Sequence, residues 1–411
     1  MNYSQAIEYL NSFSKSGTPV TDLSRFTELM RVLGDPQKDL SFIHVAGTNG
    51  KGSVCEYVSQ ALQPAGYNVG KFTSPYINVI EERIQINNKP ISREDFALYI
   101  SMAREGAEKT GCPHYSQFEI LNAAAFLCYK DKNCGLTVLE TGIGGLLDST
   151  NIITPKISVI TTVDLDHTAM LGGTREEIAR HKAGIIKQGC PVVVSPCQYE
   201  EVVTVLENKA RELDAPFVMP AENDIKLISA DLKGTVFEYK GERFETKMCG
   251  KHQAVNASAA IEVLRLLNIH SEHIKKALLT AAVPARTEQL GGWIIDGAHN
   301  PSGAGALAEL LKTVKGKKVL LTGMLTTKDW QGSLEKLVPF FDCVIAVDFF
   351  AENAVKKEEI VKFACDMGKE AITAQNLEEG LQKGSEQNAD HKVICGSLYL
   401  CGAARHILAE K

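Results

Sequence analysis

The chain has 411 residues, of which 44% are hydrophobic and 23% charged, with a formal net charge of −6. That length predicts two domains, and that composition is ordinary for a soluble globular protein. The negative balance argues against a nucleic-acid or anionic-membrane surface, and no apolar run approaches the roughly 18 residues of a membrane span. Met1-Asn2-Tyr3-Ser4-Gln5 has no leader character, and the eleven cysteines include no Cys-x-x-Cys pair. A cytoplasmic protein with reduced, mostly buried thiols is therefore expected.

From Leu40 short apolar runs alternate with amphipathic segments, which predicts an α/β fold with a parallel sheet covered by helices. Strands are expected at Phe42–Ala46, Val69–Thr73, Leu136–Glu140, Ile157–Thr161 and Val192–Ser195, and helices at Ser53–Leu62, Ser116–Tyr129 and Arg175–Ile186. Asp224 to Met248 reads as a small antiparallel β subregion turning at Lys240-Gly241. A helix at Gln253–Leu267 leads to Pro284, giving domains 1–284 and 285–411. In the second domain strands are expected at Trp293–Ile295, Val319–Thr322, Cys343–Val347 and Val393–Cys395, with helices after Pro301, Lys357 and Ser397.

The first strand runs into Gly47-Thr48-Asn49-Gly50-Lys51-Gly52-Ser53, and a helix opens there. A strand, a glycine-rich turn and a helix N-terminus form an anion cradle, in which Lys51 reaches outer phosphates and Ser53 lies near magnesium. It is a P-loop of altered spacing: Val45 replaces the first glycine of the standard pattern, and Gly52 replaces its Ser or Thr. A plain glycine turn is the rival reading, and the flanking strand and helix weigh against it. Gly142-x-Gly144 fails as a dinucleotide fingerprint, because Leu147 holds the third glycine position.

Ligands of open parallel sheets gather beyond the carboxyl ends of strands. Ser74-Pro75, Glu140 and Asp166-His167 all fall at such ends, and a hydroxyl, a carboxylate and an imidazole suit a magnesium shell completed by phosphate and water. Each alone is more often structural, and their joint placement on the phosphate-loop side is the stronger signal. Thr174 to Glu177 reads as a capping box, after which Lys182 shares a stripe with Ile178, Ile185 and Ile186. A buried amine loses its proton, and a neutral lysine can take up carbon dioxide as a carbamate; snorkelling to the surface is the alternative.

These motifs resemble those of the folylpolyglutamate synthase and dihydrofolate synthase family within the Mur ligase superfamily. The matching segments are His44 to Ser53; Phe72 to Pro75 with Glu82-Arg83-Ile84; Gln117-Phe118-Glu119; Val138 to Asn151; Leu165 to Thr168; and His181 to Lys187. They continue through Gly250 to Gln253, Asn256, Pro284 to Arg286, Asp296 to Pro301 and Gly396 to Tyr399. The resemblance implies a P-loop ATPase-like Mur ligase central domain and a Rossmann-like C-terminal domain. It also implies a monomeric ATP-dependent ligase that adds L-glutamate to reduced folates, to dihydropteroate or to both, through an acyl phosphate.

By position, the resemblance makes Ser74, Glu140 and His167 magnesium ligands and Lys182 a carbamylated lysine. Gly47 to Ser53, Asn256, Arg286, Asp296 and His299 become nucleotide contacts. Lys51, Lys182, His167 and Arg286 carry the chemistry, while Ser74, Arg83, Phe118, Glu119 and Asp148 approach the pterin substrate. A second Mg2+ and K+ are further implied cofactors. Leu146, Ala285, Thr287 and Tyr76 depart from the family pattern of arginine, glycine, an aromatic residue and histidine at those positions. They leave room for a specialised or silent paralogue. A Mur enzyme of the cell-wall type lacks space for its uridine-nucleotide domain, and a nucleotide switch lacks the Asn-Lys-x-Asp motif.

Overall fold

Every residue of the run Phe42–Ala46 is buried, as a strand covered on both faces requires. This strand, β1, lies at the centre of the first sheet in the computed structural model, which describes residues 1–13, 21–112, 114–348 and 353–410. The other strands of that sheet are β2 (Val69–Phe72), β3 (Ile84–Ile86), β4 (Lys89–Pro90), β5 (Leu136–Glu140), β6 (Ile157–Ile160), β7 (Val192–Val194) and β8 (Phe217–Val218). Their order is β4-β3-β2-β5-β1-β6-β7-β8. All pair in parallel except β3, which is antiparallel to both β2 and β4. The chain leaves β1 for β2, returns to β5, then crosses β1 to reach β6. That reversal places a ligand crevice at the carboxyl end of β1.

The register fixes what meets there: Val45 of β1 lies opposite Glu140 of β5, and Ala46 lies opposite Ile160 of β6. The helix Lys51–Leu62 follows β1, two residues earlier than expected, because Gly50 at φ +90° serves as its N-cap. The helix Arg175–Ala183 begins at the anticipated Thr174 capping box but stops short of Ile186. Asn151 Nδ2 donates to the Gly184 carbonyl at 3.1 Å, and Ile185 and Ile186 are buried beyond the helix end.

Helices Tyr3–Asn11, Ser24–Val32 and Arg93–Thr110 were not anticipated. Their residues Leu10, Phe26, Leu29, Phe96 and Ile100 join Phe42, Phe72 and Phe126 in one core on a face of this sheet.

The chain forms two compact units, residues 1–223 with 255–280, and residues 224–254 with 281–411. Strands β9 (Ile225–Asp231), β10 (Gly234–Tyr239) and β11 (Glu242–Thr246) make the expected antiparallel region, turning at Lys240 (φ +50°) and Gly241 (φ +77°). They belong to the second unit, where the sequence reading placed them in domain 1–284. Leu232, between β9 and β10, packs on the second unit's core, and its carbonyl accepts from Gln289 Nε2 at 2.6 Å.

The main sheet of that unit has the order β12-β13-β17-β14-β15-β16. Its strands are β12 (Glu288–Leu290), β13 (Trp293–Ile295), β14 (Lys318–Thr322), β15 (Cys343–Val347), β16 (Glu370–Ala374) and β17 (His391–Cys395). All pair in parallel apart from β12 with β13. Among the described residues no helix is long and apolar enough to cross a membrane.

One charge pair lies inside the first unit. Lys71 of β2 and Glu56 of the helix after β1 are in contact, their side chains only 4% and 11% exposed. Removing one partner of a buried pair strands the other charge, at a cost of about 3–5 kcal/mol, whereas apolar replacement of both is close to neutral. Lys71→Met is therefore expected to lose that much in urea unfolding, and Lys71→Met with Glu56→Leu to recover most of it. Additive losses would contradict the pairing.

Candidate active site

The turn after β1 is locked in shape by its neighbours. A Cβ on Gly47 would stand 1.7 Å from Thr161 Oγ1, and one on Gly50 would stand 2.3 Å from Asn256 Oδ1. Thr48 N–H donates to the Thr162 carbonyl at 2.8 Å, and Thr48 Oγ1 donates to the Asp164 carbonyl at 2.9 Å. A Cβ at Gly52 would instead meet nothing within 4 Å. Gly52 lies in the first turn of a helix that has no side-chain cap, unlike those starting at Asn2, Ser92, Ser116 or Thr174. Uncapped first-turn N–H groups beside open space are what an anion needs for close approach.

Two lysine side chains converge on one atom of this turn. Lys51 Nζ donates to the Gly47 carbonyl at 3.1 Å and to Thr48 O at 3.3 Å, and Lys182 Nζ donates to the Gly47 carbonyl at 2.7 Å. Lys182 is 3% exposed, on the predicted apolar stripe. Burial, aided by the Lys51 charge, holds its amine well below the ordinary lysine range, while Asp166 and Asp148 pull the other way. Lys182 is therefore buried and does not snorkel to the surface.

Glu140 is 3% exposed at the end of β5, and its Oε2 accepts the Ser74 backbone N–H at 3.0 Å. Ser74 and Glu140 thus share one strand edge, and the Ser74–Pro75 peptide is cis. His167 is the N-cap of the short helix Thr168–Leu171 at φ +51°, on the loop that Thr48 ties to Asp164. A hydroxyl, a carboxylate and an imidazole are hard or borderline donors fitting magnesium. Among the described residues no three His, Cys, Asp or Glu side chains form a metal cluster of their own.

The residues assigned to the pterin substrate divide into two groups. The Arg83 guanidinium lies 5.6 Å from the Tyr76 ring and 6.0 Å from the Phe118 ring, and Phe118 packs edge-on to Phe72 at 5.6 Å. Glu119 and Asp148 are instead held by the fold. Glu119 completes the capping box of helix Gln117–Asp131 and pairs bidentately with Arg25 at 2.8–3.0 Å, a partner the sequence reading missed. Asp148 accepts N–H groups of Gly142, Ile143 and Thr150 as well as the Thr150 hydroxyl. Burial still pushes its carboxyl above the usual range.

Behind Asp148 stands His44, fully buried on β1, its Nε2 2.8 Å from Thr150 Oγ1. The threonine has one proton and gives it to Asp148, so His44 Nε2 is the donor in that contact. His44 Nδ1 has no partner among the described residues. Arg25 lies outside every motif segment, and His44 and Thr150 fall inside such segments without an assigned role, because the Arg25–Glu119 and His44–Thr150 contacts join positions distant in the chain.

In the second unit Asp296 follows β13, and its Oδ2 accepts Thr287 N–H and Oγ1, both at 2.9 Å. His299 Nδ1 faces the Gly297 carbonyl at 2.7 Å. Ala285 (φ +54°) and Thr287 (φ +51°) flank Arg286 in the left-handed region, which costs each non-glycine residue on the order of 1–3 kcal/mol. Burial pulls His252 down to about 4, with Asp296 and Arg286 acting on it in opposite senses.

Burial lowers His44 from 6.5 to about 3. An unfolded chain takes up this proton below 6.5 and the folded chain does not, so stability from this residue is full above 6.5 and lost as pH falls toward 3. Nitrogen-15 NMR should show a neutral Nε2–H tautomer from pH 8 down to about 4. Titration near 6.5 would contradict the buried relay.

Residues 45–264 match the Mur ligase middle domain family, and residues 279–407 match the dihydrofolate synthetase C-terminal domain. The dihydrofolate synthase/folylpolyglutamate synthase of Bacillus subtilis is 36% identical over 356 residues, covering 82% of each chain. The folylpolyglutamate synthase of Lacticaseibacillus casei is 31% identical over 437 residues, covering 99% of each. The Mycobacterium tuberculosis folylpolyglutamate synthase, crystallised with ADP and AMPPCP, superposes with a TM-score of 0.89 at 28% identity, covering 100% of this chain and 98% of that one.

Proposed function

The chain belongs to the dihydrofolate synthase/folylpolyglutamate synthase family of Mur ligases, and from that premise we propose how its own residues carry the family reaction. The enzyme is an ATP-dependent ligase that adds L-glutamate to a folate, to dihydropteroate or to both. One substrate-carboxylate oxygen attacks the γ-phosphorus of ATP, the bond to the bridging oxygen breaks, and ADP leaves. The glutamate amine then attacks the acyl phosphate carbon, loses a proton and expels inorganic phosphate.

The observation that carries the residue assignment is the open helix start at Gly52, with Lys51 and Lys182 both on the Gly47 carbonyl. ATP phosphates seat against the amides of Gly47 to Ser53. Lys51 exchanges its backbone acceptors for phosphate oxygens, and Asn256 braces the loop at Gly50. Ser74, Glu140 and His167 would hold magnesium, which neutralises phosphate charge when bound; with so few protein donors the ion shares its shell with phosphate and water.

The buried amine of Lys182, held well below the ordinary lysine range, would in its neutral form suit an N–C bond to carbon dioxide, releasing a proton and leaving a carbamate anion. The Arg83 guanidinium between Tyr76 and Phe118 offers a flat cationic surface to the pterin substrate. Negative net charge, free thiols and small polar substrates fit a cytoplasmic monomer that binds neither nucleic acid nor membrane.

ADP release, with mass analysis of the product, is to be measured for tetrahydrofolate and dihydropteroate separately, each with glutamate. Release should require both glutamate and a pterin substrate; release without them would contradict the ligase assignment. Gly52→Ala separates stability from function. Alanine in an open first-turn position should raise stability by about 0.5–1 kcal/mol, while its methyl group fills the anion space and lowers glutamate-dependent turnover at least about tenfold, a change of about 1.4 kcal/mol. Full turnover in this variant would remove the phosphate loop assignment.

A further inference from the structure

The short 3-10 turn Ser149–Ile152 is tied by three consecutive side chains to three different parts of the first unit. Ser149 Oγ accepts from Asn122 Nδ2, one helical turn beyond Phe118, at 3.1 Å. Thr150 Oγ1 meets His44 Nε2 of β1 at 2.8 Å, and Asn151 Nδ2 donates to the Leu146 carbonyl at 3.0 Å. Ser149, Thr150, Asn151, Asn122 and His44 are all buried.

From Thr150 the contacts run on to the turn after Glu140. The Thr150 hydroxyl gives its proton to Asp148 Oδ1, and Asp148 Oδ2 accepts the N–H groups of Gly142 and Ile143 at 2.8 and 3.1 Å. Gly142 is packed between that carboxylate and an aromatic ring: a Cβ there would stand 3.2 Å from Asp148 Oδ2 and 2.9 Å from Phe118 Cζ. The Phe118 ring thus rests on bare backbone whose place Asp148 sets. That ring lies 6.0 Å from the Arg83 guanidinium.

His44 is the far end of this line. Burial keeps its ring neutral, with one proton, and the commitment of the threonine proton to Asp148 puts that proton on Nε2. The Nε2–H occupies the Thr150 oxygen from one side, so the threonine proton stays on the carboxylate at the other. A satisfied buried chain of donors and acceptors holds one geometry.

We propose that His44 is a positioning residue for the pterin substrate: through Thr150 and Asp148 it fixes the Gly142 turn under Phe118, and so sets the face that Phe118 and Arg83 offer to the pterin. Leucine in its place is apolar and lacks the donor, whereas glutamine keeps an N–H donor on a side chain of similar reach. This role rests on the assignment of Phe118 and Arg83 to the pterin substrate.

The test is steady-state ADP release on the full chain, on His44→Leu, His44→Gln and Thr150→Val, on the double variant of His44→Leu with Thr150→Val, and on Arg83→Gln. ATP, glutamate and the pterin substrate are varied in turn, with tetrahydrofolate and dihydropteroate as separate probes. His44→Leu should raise KM for the pterin about fivefold, the weight of one neutral hydrogen bond, with kcat and KM for ATP changed less than about twofold. His44→Gln should return the pterin KM to within about twofold of the starting protein. Because the histidine acts through the threonine, the double variant should be no worse than Thr150→Val alone. If circular dichroism shows His44→Leu unfolded, Thr150→Val carries the same expectation.

An unchanged pterin KM in His44→Leu and Thr150→Val, beside a large rise in Arg83→Gln, overturns the positioning role and leaves the pterin assignment standing. An unchanged pterin KM in Arg83→Gln overturns that assignment and the positioning role with it. A loss shared equally by ATP and pterin, or one that glutamine does not restore, also overturns the role, because that pattern is general loosening of the strand leading into the phosphate loop. Losses that add in the double variant overturn it too, since His44 and Thr150 would then act separately.

Discussion

The carbonyl oxygen of Gly47 receives both Lys51 and Lys182, and the site of the first unit is arranged around that shared contact. Burial strips water from the Lys182 amine, and the Lys51 charge beside it adds repulsion, so the lysine deeper in the fold is held well below the ordinary lysine range. The turn cannot relax away from this arrangement. Thr161 stands where a Gly47 side chain would be, Asn256 where a Gly50 side chain would be, and Thr162 and Asp164 hold Thr48. An anion arriving at the open face by Gly52 finds donors already placed, so little ordering is needed at the moment of binding.

What the sequence disclosed follows from burial. Phe42–Ala46, Leu136–Glu140, Trp293–Ile295 and Cys343–Val347 were delimited correctly because each is mostly apolar and buried at every position. The glycine loop and Lys182 were legible because each breaks a local rule: glycines crowd a helix start, and a cation sits on an apolar stripe. The helix Arg93–Thr110 hid behind charged residues spread along its exposed face. The placement of Asp224–Ala254 in the second unit also had no local signal, since it depends on Leu232 and Gln289 meeting across 57 positions of chain.

Carboxylates were the hardest to judge from sequence. Glu140, Glu119 and Asp148 are all buried acids, yet their surroundings differ. Glu119 is neutralised by Arg25, and Asp148 is saturated by loop amides and Thr150. A carboxylate with such partners shapes the loop that carries substrate contacts. Residues Ala285 and Thr287 show the converse: departures from the family motif that looked like losses turn out to sit in a strained, heavily bonded strap.

The account depends most on Lys51 and its loop gripping a triphosphate. Calorimetric titration of the protein and of Lys51→Met with AMPPCP and magnesium measures that grip directly. A loss of affinity of at least about tenfold in the variant, with its thermal midpoint preserved, is the predicted result for removal of a charge-assisted contact. Equal affinities for the two proteins would contradict the account.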